Sequence, residues 1–360
     1  MNEELKHREI YLDHLRVLAT AAVMILHVAG ENWGSVDVNG SEWRVFNFYD
    51  SAVRWAVPIF VMISGALFLD RDDITIKKLY TKYVLRMMIA YFTWSIFYYV
   101  FSGDNILQQL LNLIKTGKTD KFIAIINSHY HLWFILMIVG LYICLPIIRQ
   151  IVKNEEATDY FLIVSFVIWI FIPEIVVLIN DFGGEKFISI TNAFYEKVKG
   201  LQLNFVMNYA FYFILGYKLS KIRFDKKKRI LIYILGVFGF IFTVVIDWIV
   251  SLKAQMPMGT YYGDISVNVL FETMAIFELY KNISFKNIDK SRIIIRLSKW
   301  SFGAYLVHAL IIEQLRKYGI HTLAFSPVIS VPTIVVVVFV CAFAISGCIH
   351  CIPVLKKYIV

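Results

Sequence analysis

Apolar residues in this chain come in unbroken blocks, not in alternation. Ten blocks stand out, at 11–30, 49–69, 79–101, 131–152, 159–179, 204–220, 229–250, 264–281, 300–318 and 327–350. Each is about 17–24 residues long, enough for a helix to cross a hydrocarbon core of about 30 Å. Helices are expected because a lone span must satisfy its own backbone hydrogen bonds. A membrane barrel needs alternating strands of about ten residues, and runs such as "IVVVVFVCAFAISG" do not alternate. The pattern predicts an all-α polytopic membrane protein of about ten transmembrane helices. A single membrane domain takes up the whole of residues 1–360, with no connecting segment long enough for a soluble domain.

Composition agrees with this reading. The chain is 59% hydrophobic and 18% charged, where a soluble domain has about 25% charged residues. The net charge of +9 would suit nucleic acid, but its placement does not. Of the 36 Lys and Arg, 23 fall at the termini and in every second loop with its flanking block edges, 10 in the opposite loops with theirs, and three (Arg16, Arg54, Arg86) deeper inside spans. The positive-inside rule puts both termini in the cytoplasm. The first block, lacking a small-residue cleavage site, reads as a retained span and not a signal peptide. The dense basic loop "KLSKIRFDKKKR" reads as a topology signal, and no nucleic-acid partner is expected. The four cysteines lie in or at the ends of spans, so no disulfide framework is expected. "CIHC" at 348–351 lacks a second ligand cluster, and no metal is expected. Two outer segments are long. In 102–130, Ile106, Leu107, Leu110, Leu111 and Ile114 share a helical face suited to the interface. Residues 180–203 read as a loop or short lid; either segment is a cover for an outward site or a plain connector.

Chemistry is expected from the polar residues inside the blocks, since ionisable groups at membrane depth are costly and face the bundle interior. "LDHLRVLATAAVMILHV" carries Asp13, Arg16 and His27. Eleven residues separate Arg16 from His27, which puts them on one helical face about 16 Å apart along the axis. Asp13, one turn before Arg16, is placed to pair with it. In "VRWAVPIFVMISGALFLD", Ser64 lies at the depth of Arg16, Gly65 allows close helix approach, and Pro58 is expected to kink the helix. His129, His131 and Trp133 open the fourth span. Tyr305 and His308 lie one turn apart in "WSFGAYLVHALII". Lys82 and Arg86 share a face near the inner end of the third span, as snorkelling residues or anion ligands. Glu272 sits mid-span with no assigned partner and argues for an ion or proton pathway.

Together these residues resemble the acyltransferase-3 family of integral membrane acyltransferases. The resemblance rests on Arg16 and His27 in the first span, "FVMISG" (Phe60, Ser64, Gly65) in the second, "HLWF" at 131–134 and "SFGAYLVHALI" at 301–311. It covers about residues 9–350, and is greatest to the branch that includes the O-acetyltransferase of enterobacterial common antigen. Many members carry R-x-x-R at the start of the third span, where this chain has Lys82 and Arg86.

The resemblance implies an O-acetyltransferase of a bacterial cytoplasmic membrane, with acetyl-CoA or another acyl-CoA as donor. The acceptor implied is a hydroxyl of an extracytoplasmic glycan or lipid-linked saccharide. Arg16, with Lys82 and Arg86, then holds the donor phosphates or polarises the thioester. His27 acts as general base or as acyl-accepting nucleophile. Asp13 orients Arg16, and Ser64 lines the donor channel or bonds the oxyanion. His131, Tyr305 and His308 stand on the acceptor side. The competing class is a polytopic transporter or exporter, which would move its substrate without acyl-CoA.

Overall fold

The computed structural model describes residues 8–101, 129–200, 208–285 and 288–359, and among these it contains helices and no strands. The helices are α1 (Ile10–Trp33), α2 (Ser41–Ser51), α3 (Ala56–Phe68), α4 (Ile76–Phe101), α5 (Tyr130–Val152), α6 (Glu155–Phe182), α7 (Glu185–Lys199), α8 (Asn208–Lys221), α9 (Lys226–Ala254), α10 (Val267–Asn282), α11 (Ile288–Lys317), α12 (Pro327–His350) and α13 (Pro353–Tyr358). Every predicted block falls on a helix. Seven helical stretches are long and apolar enough to cross a membrane, the second being α2 and α3 taken together. The remaining blocks fall on α8 and α10, of 14 and 16 residues, and on the more polar α11 of 30. The expected interfacial helix over Ile106–Ile114 lies outside the described residues.

Helix α1 is the hub. It packs on α2, α3, α10, α11 and α12, and 56% of its apolar window is buried inside the protein. The corresponding shares are 17% for α6 and 22% for α9. Exposed Ile163, Val167 and Phe171 on α6, and Ile234, Val237, Phe238 and Ile241 on α9, give these helices the outward apolar face that a lipid surround requires.

Two departures from the sequence pattern matter. The block 49–69 is not one helix kinked at Pro58. The chain breaks at 52–55, between α2 and α3, and Pro58 sits three residues into α3, where its missing N–H costs no intrahelical bond. The break is held by Arg54, whose Nη2 lies 2.5 Å from Asp50 Oδ1 and whose guanidinium stacks 3.9 Å from the Tyr262 ring centroid. Within the segment 180–203, read as a loop or lid, Glu185–Lys199 form α7. Its exposed Phe187, Ile190 and Phe194 follow helical spacing, and paired amides of Asn180 and Asn192 at 3.1–3.2 Å tie it to α6.

On the side where α1 begins, Arg149 clamps the loop after α3, donating to the carbonyls of Phe68 and Ile74 at 2.9 Å each. In that loop, hydrogen bonds from Arg71 and Lys78 hold the Asp73 carboxyl well below the usual carboxylate range.

The contact between α3 and α8 sets the position of the second motif. A Cβ at Gly65 would lie 1.7 Å from the Phe213 carbonyl oxygen, and one at Gly216 would lie 2.2 Å from the Met62 carbonyl oxygen. Only glycine at both positions permits this backbone approach. Gly65→Ala is therefore expected to destabilise the protein by about 1–3 kcal/mol through overpacking. Gly140→Ala on α5, where a Cβ meets nothing within 4 Å, should leave the melting temperature in detergent unchanged or raised. Equal melting temperatures for the two variants would refute the close-contact argument.

Candidate active site

A cavity of about 680 Å³ opens among α1, α3, α4, α5, α11 and α12, near the N-terminal end of α1. The volume lies within the range of about 300–1,000 Å³ typical of ligand sites. Arg16, Arg86, Arg296, Lys299 and Lys356 line it together with His350, and no carboxylate does. The guanidinium of Arg16 donates from Nη1 to Ser298 Oγ at 3.3 Å and makes no ion pair among the described residues. Five basic side chains with no carboxylate among the lining groups give the cavity a positive field. One wall is aromatic: Phe68 stacks on Tyr142 at 4.8 Å and meets Tyr83 edge-on at 5.1 Å.

The sequence expectations divide here. Arg16, Arg86, Ser64 and Tyr305 line this cavity. Ser64 donates to the Phe60 carbonyl at 2.9 Å and is also hydrogen-bonded to Tyr142. Lys82 does not line the cavity. It is exposed, with Nζ 5.7 Å from the Tyr83 ring centroid. The stretch that carries Lys82 is a π-helical turn, Leu79–Val84. Asp13 does not pair with Arg16 either. Its two oxygens receive a fork from Arg8 at 2.6 and 2.8 Å, because Arg8 lies just outside the helix on the same side. Arg296, Lys299 and Lys356 escaped the sequence reading because basic residues at span ends are accounted for by topology alone.

The second cluster lies toward the other end of α1. His27 stacks on His308 at 5.2 Å and meets Tyr130 edge-on at 5.0 Å. His308 meets His131 at 5.0 Å. His131 Nδ1 lies 2.8 Å from His129 Nδ1, and His129 Nε2 lies 2.7 Å from Glu313 Oε1. The structure thus brings together His27, His131 and His308 from three different helices. Among the described residues, no group of three or more His, Cys, Asp or Glu side chains is arranged to hold a metal ion. In "CIHC", Cys348 and Cys351 are free thiols and His350 Nδ1 bonds the Ser346 carbonyl at 2.8 Å.

Tyr305 joins the two sites. It lines the cavity, its hydroxyl donates to the His131 carbonyl, and its own carbonyl accepts from His308 Nδ1. Glu272 belongs to neither site. It accepts from Thr243 at 3.1 Å, and Thr243 in turn accepts from Asn268 at 2.7 Å, so the partner missing from the sequence reading is a buried hydroxyl on α9.

The model of the acyltransferase-3 family, described as an acyltransferase domain, matches residues 9–351. The chain belongs to that family, and with its membrane-helical architecture it is a membrane acyltransferase. No curated protein and no solved structure matches it.

The cation ring makes a prediction independent of the donor's identity. Lys299→Glu should weaken binding of ATP, used as a polyanionic probe, about tenfold, or about 1.4 kcal/mol. Lys82→Glu should leave binding unchanged. Calorimetry on protein in nanodiscs reads both, and equal losses would mean that the anion does not enter this cavity.

Proposed function

We propose that the chain transfers an acyl group, acetyl by preference, from acyl-CoA to a hydroxyl of an extracytoplasmic glycan or lipid-linked saccharide. The observation that carries this reading is the cavity lined by five cations and no carboxylate, which runs from Arg16 to Tyr305 against the histidine cluster. Coenzyme A is polyanionic at one end and carries its thioester on a long, flexible arm. Its phosphates suit Arg16, Arg86, Arg296, Lys299 and Lys356, and its arm suits the apolar stretch lined by Phe60, Ile63, Phe134 and Ile138. With both termini cytoplasmic, the cavity faces the compartment that holds acyl-CoA, and His27 faces the acceptor.

Distance favours one division of the roles. Reacting atoms must approach to about 3–3.5 Å. Arg16 and His27 stand about 16 Å apart along the axis of α1, farther than both side chains reach together. Arg16 therefore holds the donor's charged end and does not polarise the carbonyl that reacts beside His27. At that end, the acceptor oxygen loses its proton and adds to the thioester carbonyl. The tetrahedral intermediate collapses, the C–S bond breaks, and coenzyme A leaves as the thiolate. His27 serves there as general base, or takes the acyl group first and passes it to the acceptor.

Calorimetry and transfer assays on protein in nanodiscs test the reading. Wild type should bind acetyl-CoA. Arg16→Ala should bind it about 10- to 100-fold more weakly, the loss of a charge-assisted contact of about 1.5–3 kcal/mol. His27→Ala should keep binding and lose transfer by about 100-fold or more. A well-folded wild type that binds neither acetyl-CoA nor a longer acyl-CoA would sink the proposal in favour of transport.

A further inference from the structure

We infer that α13 is one wall of the cavity, and that Trp94 on α4 is the positioning residue that holds it there with Lys356 turned inward. The inference rests on the proposed use of the cavity by the donor's anionic end.

After α12 the chain turns back along the bundle. The N–H groups of Cys351 and Ile352 close the turn, donating to the carbonyls of Cys348 and Ile349 at 3.1 Å each. Pro353 then opens α13, since proline has no N–H with which to continue the preceding helix. Hydrogen bonds to α11 give the levels of the two ends. Ser346 Oγ donates to the Trp300 carbonyl at 2.7 Å, so α12 ends about one turn from Trp300. The Tyr98 hydroxyl donates to the Leu306 carbonyl at 2.7 Å. Trp94, one turn before Tyr98 on α4, donates from Nε1 to the Ile359 carbonyl at 3.2 Å. The segment 351–359 thus runs from the end of α12 back toward the middle of α11. It packs on both α12 and α4, and so covers the flank of the cavity between those two helices.

Helical pitch divides the side chains of α13. Leu355 and Ile359 stand one turn apart and are half-buried, with Ile359 packed against the core. Val354 and Tyr358, one turn apart on the other side, are exposed. Lys356 falls next to the inward pair and lines the cavity. Lys357 falls about 100° further round, with Nζ 4.8 Å from the Tyr358 ring centroid, and is not among the lining residues. Two adjacent lysines are therefore split between the cavity and the exterior.

Little else fastens α13. None of its six residues is buried. The last carbonyls of a helix have no partner within it, and hydrocarbon offers them no donor. The Trp94 indole, only 6% exposed, gives one to Ile359. A segment with few buried apolar contacts opens at low cost, so this one hydrogen bond has a large influence on where Lys356 stands.

The test is Trp94→Phe, which keeps an aromatic ring and removes the N–H. Calorimetry on protein in nanodiscs, with ATP as the polyanionic probe, should show binding weakened about fivefold, the upper end for a contact between exposed charges. Lys356→Ala should cost the same, the double variant no more than either alone, and Lys357→Ala nothing. Amide exchange over residues 354–359 should rise in Trp94→Phe, and should fall when ATP binds the wild type. A packing defect elsewhere in α4 would add to the loss in Lys356→Ala, whereas loss of the latch merges with it. Should Trp94→Phe fold poorly, protection of 354–359 by ATP in the wild type, and its disappearance in Lys356→Ala, decides alone. Additive losses, wild-type binding by Trp94→Phe, or an equal loss in Lys357→Ala would overturn the latch and leave the use of the cavity intact. A folded wild type that binds neither ATP nor acetyl-CoA would overturn both.

Discussion

A guanidinium inside a membrane helix is the constraint from which the rest of this structure follows. Arg16 stays protonated at any accessible pH, and hydrocarbon does not solvate it. With no carboxylate paired to it among the described residues, it needs a polar space. The cavity is that space, and its walls come from helices that α1 gathers around itself. One wall depends on two glycines: Gly65 and Gly216 let the backbones of α3 and α8 nearly touch, which sets Ser64 and Phe60 beside the cavity instead of in lipid.

The first helix was legible because its pattern is local. Helical pitch alone puts Arg16 and His27 on one face, and nothing elsewhere in the fold alters that. The ten apolar blocks were legible for the same reason. What failed was local geometry that other helices decide. Lys82 and Arg86 stand one turn apart, yet only Arg86 lines the cavity. Asp13 lies one turn from Arg16, yet Arg8 takes both its oxygens. Hydropathy found the block containing Pro58 but not the break at 52–55, which depends on Arg54 meeting Asp50 and the distant Tyr262.

The histidine cluster shows the other limit. His27, His131 and His308 come from α1, α5 and α11, and no spacing in the chain relates them. The sequence marked each as a polar residue in an apolar run. It could not show that three rings would meet at 5.0–5.2 Å, or that Glu313, at the ordinary polar end of a helix, would close the chain. The basic residues of the cavity were hidden differently. Arg296, Lys299 and Lys356 already had an explanation as topology signals, and one residue can serve both purposes at a span end.

Tyr305 shows how the two halves are kept separate and in register. Its ring lines the cavity, its hydroxyl holds the His131 backbone and its carbonyl orients His308. The proposed transfer, from a donor on one side to an acceptor on the other, would need a wall that blocks water and a point where the two substrates meet. A single aromatic side chain, bonded to the histidines on one face and lining the cavity on the other, satisfies both needs. It also explains why Tyr305 and His308 stand one turn apart on α11: the Tyr305 carbonyl that fixes the His308 tautomer comes from the residue that closes the cavity, so orientation of the ring and closure of the wall are set by the same turn of helix.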